Sequence, residues 1–293
     1  MFKRVLISSD LSDASSALLN CATDFRKLGI EEALLVHVLY ASNPGGMDAT
    51  FVKETRIMDK DHNAVKKVMP ALEKQKMILE EAGIKVFIEV KYGFPARAIN
   101  DLAEKYEVSA IVTGSHGKGI LKRATIGSVS SELIHLTKKP VFLVRSKLDN
   151  TCERVVPCGS LFNHVLYLTD FSETAQKALD YLEKIVAHTQ CKVSILHIND
   201  TTETTEKTRV KLEAIKDRLL DADAEMVDYE CIKGKMENVA IDHINNKQEL
   251  TLVVMGTQGK GFAKELLAGS LSLHLSRHSP IPVLLIQQES TNE

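Results

Sequence analysis

The feature that most constrains the fold of this chain is an internal repeat. The segment around Asp10 aligns with the segment around Asp170, and the apolar stretches that reach Val38 and Ile198 follow at the same distance in each copy. Two copies that keep a common spacing over a long stretch are typical of a domain duplicated in tandem. The repeat therefore predicts two domains that share one fold.

The repeat also predicts where the domains lie. We expect one domain at residues 1–146 and a second at 164–293, joined by a linker at about 147–163. The length of 293 residues suits two domains of ordinary size. The copies differ mainly in the middle, where the first carries additional residues near 41–60.

Short apolar runs alternate with amphipathic segments inside each copy. Ala175, Leu179 and Leu182 recur at helical spacing, whereas 252–255 is a continuous apolar run. Such a run is typical of a parallel strand that is covered on both faces. We therefore predict an α/β fold with two tandem, doubly wound, five-stranded parallel-sheet domains of the Rossmann-like type. Strands are predicted in the first copy near Val5, Leu34, Val86, Ala110 and Val141.

A glycine motif of the form Gly-x2-Gly-x9-Gly-Ser follows the fourth predicted strand of each copy. Glycines permit positive φ and let the backbone approach a ligand closely, and the N-terminus of the following helix favours an anion. The motif therefore predicts a phosphate site at the carboxyl end of each sheet. Its members are Gly114, Gly117, Gly127 and Ser128 in the first copy, and Gly256, Gly259, Gly269 and Ser270 in the second.

A purely structural alternative explains the same glycines. They could serve only to make tight turns between strand and helix, with Ser128 and Ser270 as helix N-caps. The identical spacing in both copies favours the phosphate site, because a turn alone does not require that spacing.

With this motif the chain resembles the ATP-binding universal stress proteins. The segment 168–175 is similar to that family's opening segment after its first strand, and the resemblance covers nearly the whole chain twice. It implies an adenine nucleotide alpha hydrolase-like fold in each copy. By the same resemblance, Asp10 and Asp170 lie beside the adenosine, Val38 and Ile198 offer backbone groups to the adenine edge, and the motif holds the ribose and phosphates.

The resemblance implies a stress-response regulatory protein that binds ATP, ADP or AMP, with Mg²⁺ accompanying a triphosphate. One alternative is a slow ATPase or autokinase that acts on its own Ser128 or Ser270. Another is a nucleotide-free scaffold that pairs through edge strands at Val141 and Val283. Fast phosphoryl transfer needs a metal ligand and a group that positions the nucleophile. Neither is evident in the motif, so we predict no catalytic residue and no protein-built metal site.

We expect the two copies to pack as a pseudo-twofold pair through their last strands, 141–144 and 283–286, because two similar domains can form a self-complementary contact. A homodimer of the chain and an unidentified protein partner are further expectations. His37 and His197 occupy equivalent strand positions, and we interpret both as hydrogen-bonded core histidines.

Composition narrows the partners. The net charge is −2 with acidic and basic residues interspersed, which gives no reason to expect nucleic acid or an anionic membrane. No apolar run has the length that spans a bilayer. The five cysteines are irregularly spaced, which favours a reducing compartment, and we expect the cytoplasm.

Overall fold

The computed structural model shows two similar α/β units in one chain. The structure describes residues 2–12, 15, 18–40, 58–114, 127–144, 159–199, 206–259 and 268–288. For residues 58–62 it describes the backbone only.

Strands and helices alternate along both units. The first unit contains β1 (Arg4–Ser8), α1 (Ala22–Lys27), β2 (Glu32–Tyr40), α2 (Met58–Glu81), β3 (Lys85–Gly93), α3 (Pro95–Lys105), β4 (Ala110–Gly114), α4 (Ser128–Leu136) and β5 (Val141–Val144). The second contains β6 (His164–Leu168), α5 (Glu173–Thr189), β7 (Lys192–Asn199), α6 (Glu206–Asp221), β8 (Met226–Lys233), α7 (Met236–Asn246), β9 (Leu252–Gly256), α8 (Ser270–His278) and β10 (Val283–Ile286).

Local sequence explains the clearest of these elements. All five residues of β9 are buried, as expected for an apolar strand with helices on both faces. Helix α5 begins at an N-cap, Ser172, whose hydroxyl accepts a hydrogen bond from the Ala175 amide at 3.2 Å. Its C-cap, Gln190, has the left-handed conformation, and the apolar residues of the helix are buried along one face.

The ten strands form one continuous sheet. Their order is β3-β2-β1-β4-β5-β10-β9-β6-β7-β8, with parallel pairing inside each unit. At the centre, β5 and β10 pair antiparallel, with Phe142 opposite Leu284. The predicted fold class is confirmed, and so is the packing of the two copies through their last strands.

This pairing corrects one expectation. Strands β5 and β10 are not edge strands available to a second molecule, because each covers the other inside the chain. Both are fully buried, which removes the unpaired backbone groups and the apolar surface that an isolated domain would expose there. The outermost strands are β3 and β8, so a homodimer would need a surface other than β5 and β10.

Side chains reinforce the contact between the units. Phe142 packs edge-on against Phe25 and Phe162, with ring centroids 5.9 Å and 6.2 Å away. These rings belong to a single cluster of buried residues that includes side chains of both units. A hydrogen bond adds to this contact. The buried Asp24 carboxylate of α1 accepts it from the Gly159 amide at 2.7 Å, which holds the chain at the point where the second unit begins.

Two segments predicted from the sequence lie largely outside the described residues. The additional segment near 41–60 is described only from 58 onward, and of the predicted linker 147–163 only 159–163 is described. None of the described helices is long and apolar enough to cross a membrane.

Candidate nucleotide-binding sites

A cavity of about 680 Å³ opens at the carboxyl ends of β1, β2 and β4 in the first unit. This is the point where the strand order reverses direction, which is where open α/β sheets bind ligands. The predicted site residues that line it are Asp10, Val38, Gly114, Gly127 and Ser128. Gly117 lies outside the described residues.

A second cavity, of about 360 Å³, occupies the equivalent position in the second unit. Chain segments distant in sequence contribute to it, from the ends of β6, β7 and β9 and from the start of α8. The predicted site residues that line it are Asp170, Ile198, Gly256, Gly259, Gly269 and Ser270.

The turn after the first strand has the same geometry in both units. Leu11 has φ 59° and Phe171 has φ 60°, a left-handed conformation that is unusual for residues with a side chain. A hydroxyl two residues earlier in the chain stabilises each turn. Ser9 Oγ accepts a hydrogen bond from the Leu11 amide, and Thr169 Oγ1 accepts one from the Phe171 amide, both at 3.1 Å. The same strained backbone conformation therefore follows Asp10 and Asp170, and it sets the direction in which each aspartate side chain projects.

Hydrogen bonds hold the Asp10 carboxylate in its cavity. The amide of Ser12 donates to Oδ1 at 3.0 Å, and the hydroxyls of Ser12 and Ser15 donate to the same oxygen at 2.5 Å. At Asp170, the Ser172 amide donates to Oδ1 at 3.0 Å. The aspartates are thus oriented by the turns from which they project.

The glycines have a different role from the one expected. Gly127 has φ −59° and Gly269 has φ −84°, while Gly256 and Gly259 also lie outside the left-handed region. The expectation of positive φ in these loops is therefore wrong for these residues.

Close approach explains two of them instead. A Cβ on Gly256 would lie 2.8 Å from the carbonyl carbon of Thr174 at the start of α5. A Cβ on Gly259 would lie 2.7 Å from Oδ2 of Asp170. Gly256 is therefore required by packing of backbone against backbone, whereas Gly259 leaves room for a side chain of the candidate site.

The helices α4 and α8 start at these cavities. Their N-caps are Gly127 and Gly269, and Ser128 and Ser270 are the first helical residues, so the interpretation of the serines as N-caps is wrong. The first intrahelical bond of α8 runs from the Leu273 amide to the Gly269 carbonyl at 3.1 Å. The amides before Leu273 in this turn have no acceptor within the helix and can bind an anion.

Buried hydroxyls that the glycine motif does not include hold each loop against its helix. Ser130 Oγ donates to the Gly114 carbonyl at 2.7 Å. In the second unit, Ser272 Oγ lies 2.9 Å from the Thr257 carbonyl and 2.8 Å from the Gly269 carbonyl. Their shared position, two residues after the motif's serine, was the available signal.

The hydrogen bonding predicted for the two histidines is confirmed, but only His37 is buried, whereas His197 is half-buried, and the two line the first and second cavities. Nδ1 of His37 donates to the Ser9 carbonyl, and Nδ1 of His197 donates to the Thr169 carbonyl, both at 2.8 Å. Each histidine ties the second strand of its unit to the turn that carries the aspartate.

Electrostatics distinguish the second site. The backbone amide of Glu237 at the start of α7 and the hydroxyl of Ser270 lower the pKa of the Glu237 carboxyl. A carboxylate therefore stands beside the first residue of α8. The equivalent position in the first unit is the buried Ala96. Below the second site, burial raises the pKa of Tyr167, whose hydroxyl donates to the Ala175 carbonyl at 2.7 Å.

The universal stress protein family model matches residues 1–145 and again residues 161–287. The chain belongs to the universal stress protein family. It carries two universal stress protein domains in tandem, which correspond to the two units of the sheet.

Relatives of about the same length as this universal stress protein, and others of about half its length, are similar to it. One from Mycolicibacterium smegmatis is 24% identical over 298 residues, which cover 97% of this chain and 96% of that protein. One from Methanocaldococcus jannaschii is 29% identical over 160 residues, which cover 50% of this chain and 97% of the relative. The solved structure of a universal stress protein from Archaeoglobus fulgidus is 26% identical, with a TM-score of 0.76, and the match covers 99% of this chain and 100% of that one.

Proposed function

We propose that each domain of this universal stress protein binds one adenine nucleotide, and that the chain acts as a nucleotide-dependent regulator of a stress response. The observation that carries the proposal is the convergence of the predicted residues. Asp10, Val38 and Gly127 come from separate parts of the first domain, yet they line one cavity. Asp170, Ile198 and Gly269 do the same in the second.

The geometry supports one orientation of the ligand. The phosphates bind at the starts of α4 and α8, where backbone amides and the helix dipole favour negative charge. The adenosine lies toward the first and second strands of each domain. There Asp10 or Asp170 contacts the ribose, and the backbone of Val38 or Ile198 contacts the adenine edge.

ATP and AMP are both candidates, and Mg²⁺ would accompany the triphosphate. Among the described residues, no three His, Cys, Asp or Glu side chains come together as a metal site. Mg²⁺ commonly uses one or two carboxylates together with ligand phosphates and water. The candidate site fits an ion that arrives with the nucleotide and is held by its phosphates and by water.

Mass spectrometry of small molecules released by denaturing the purified protein tests the proposal. We expect an adenine nucleotide, at up to two per chain. Protein stripped of ligand and then incubated with ATP, Mg²⁺ and excess GTP should take up ATP. If neither preparation contains an adenine nucleotide above the level of an unrelated control protein, the proposed function is wrong.

A further inference from the structure

The two cavities differ at the end that lies away from the glycine motif. Tyr40 and Phe94 line the first cavity there, with their ring centroids 5.9 Å apart and the rings nearly perpendicular at 88°. Both are large aromatic side chains left accessible, Tyr40 by 63% and Phe94 by 44%. An accessible aromatic pair in the wall of a cavity can receive a planar ligand.

The second domain has a different residue at the equivalent point. Gly93 and Gly234 both have left-handed φ values, 145° and 150°, and each precedes the N-cap residue of a helix. These N-caps are Phe94 and Lys235, which share an extended conformation. Phe94 and Lys235 are therefore structural counterparts, and no Phe, Tyr or Trp is found among those residues lining the second cavity that the structure describes.

The strand order gives the aromatic pair its position along the cavity. Tyr40 ends β2 and Phe94 follows β3, whereas the glycine motif follows β4 on the other side of β1. A nucleotide with its phosphates at the start of α4 therefore points its base toward Tyr40 and Phe94. Tyr40 also follows Val38 by two residues, so both side chains are on the same face of β2.

We propose that the first domain recognises the base by stacking it on Phe94, with Tyr40 bordering the same surface, so that the first site binds purine nucleotides more tightly than the second. This inference rests on the proposed function, because it assigns the base end of that same site. An aromatic side chain that stacks on a base strengthens binding by roughly fivefold to a hundredfold. In the second domain the counterpart of Phe94 is Lys235, and the described residues that line the second cavity include no Phe, Tyr or Trp on which a base could stack.

Calorimetric titration with ATP on nucleotide-free protein tests the inference. The wild-type isotherm should resolve a tight and a weaker step. Phe94→Leu removes the ring but keeps an apolar side chain, and should weaken the tight step by roughly fivefold to a hundredfold. Lys235→Phe should strengthen the weaker step by a similar factor. Phe87→Leu is the matched control, because Phe87 is an exposed aromatic residue of the same domain that does not line the cavity.

Inorganic tripolyphosphate separates loss of stacking from damage to the phosphate loop. It has no base, so its affinity should be the same in wild-type protein and in Phe94→Leu. Equal weakening of ATP and tripolyphosphate would overturn the inference, and so would wild-type ATP affinity in Phe94→Leu. Both of these results would be compatible with the proposed function, because the wild-type protein would still bind ATP in each domain. A wild-type protein that takes up no ATP at all would contradict the proposed function itself.

Discussion

Oδ2 of Asp170 lies 2.7 Å from the point that a Cβ on Gly259 would occupy. The relationship joins the turn after β6 to the loop after β9, and in this way couples the adenosine end of the second site to its phosphate end. It also explains why this position has no side chain although its φ does not require glycine.

Gly259→Ala should therefore impair the second site more than it impairs the fold. The added methyl group meets the end of a side chain, which can rotate, so we expect a loss of less than about 1 kcal/mol in the free energy of unfolding. The displaced Asp170 should weaken ATP binding at one of the two sites by at least roughly tenfold, a change of about 1.4 kcal/mol. Chemical denaturation and calorimetry measure the two effects.

Gly256→Ala is the matched comparison and should impair the fold more than it impairs the second site. Its Cβ would lie 2.8 Å from backbone atoms of Thr174 in α5, which can move only with the helix. Overpacking of this kind costs about 1–3 kcal/mol. Equal stability of the two alanine variants would contradict the separate roles assigned to these glycines.

Gln287 links the second site to the first domain. Thr257 Oγ1 donates to its Oε1 at 2.8 Å, and its Nε2 donates to the Ile134 carbonyl in α4 at 3.3 Å. The side chain is buried, so Gln287→Leu would leave polar groups without this partner at a cost of about 1–3 kcal/mol. Urea denaturation measures the loss. The exposed Gln176→Leu is the control, and an equal effect of both changes would argue against the link.

Acid should destabilise the protein through a buried histidine. His164 is buried with Nε2 2.9 Å from Ser194 Oγ, and burial lowers its pKa below the usual value. Between the lowered and the usual pKa, the unfolded chain binds a proton that the folded chain does not. The free energy of unfolding should therefore fall as the pH decreases through the usual histidine range.

Denaturation curves between about pH 7.5 and about pH 5.5 measure this dependence. His164→Gln should reduce it, and His135→Gln should not, because His135 is exposed on α4. A pH dependence that is unchanged in His164→Gln would show that other groups are responsible.

Phosphate release from ATP should be slow. Fast phosphoryl transfer needs a group that positions the nucleophile, and rates of about 1–100 per second are typical of kinases. Ser270 is the first residue of α8 and lines the second cavity, so its substitution tests for slow autophosphorylation. A malachite green assay with ATP and Mg²⁺ should give a rate far below that range. A rate within it that Ser270→Ala abolishes would favour the enzyme.

The sequence predicted those features that depend on spacing along the chain. The repeat around Asp10 and Asp170 predicted both domains, and the apolar runs predicted the strands, because fully buried strands need continuous apolar residues. Residues of the glycine motif line both cavities, because the end of the fourth strand and the start of the last helix meet at the same edge of the sheet.

Features that depend on contacts between distant segments were not predictable in this way. The clash that excludes a side chain from Gly259 involves Asp170, and the one at Gly256 involves Thr174. Spacing cannot distinguish these close approaches from positive φ, so the motif predicted glycines at two positions that do require them, but for a different physical reason. The aromatic pair was missed for the same cause, since Tyr40 and Phe94 meet only when β2 and β3 are neighbours.

The number of ATP molecules bound per chain tests the central claim most directly. Calorimetric titration of ligand-free protein should give two for the wild type, one for Asp10→Ala, one for Asp170→Ala and none for the double variant, with unfolding curves to confirm that each variant folds. Each aspartate lines a different cavity, so each change should remove only its own site. A folded double variant that still binds two ATP molecules with wild-type affinity would contradict the account.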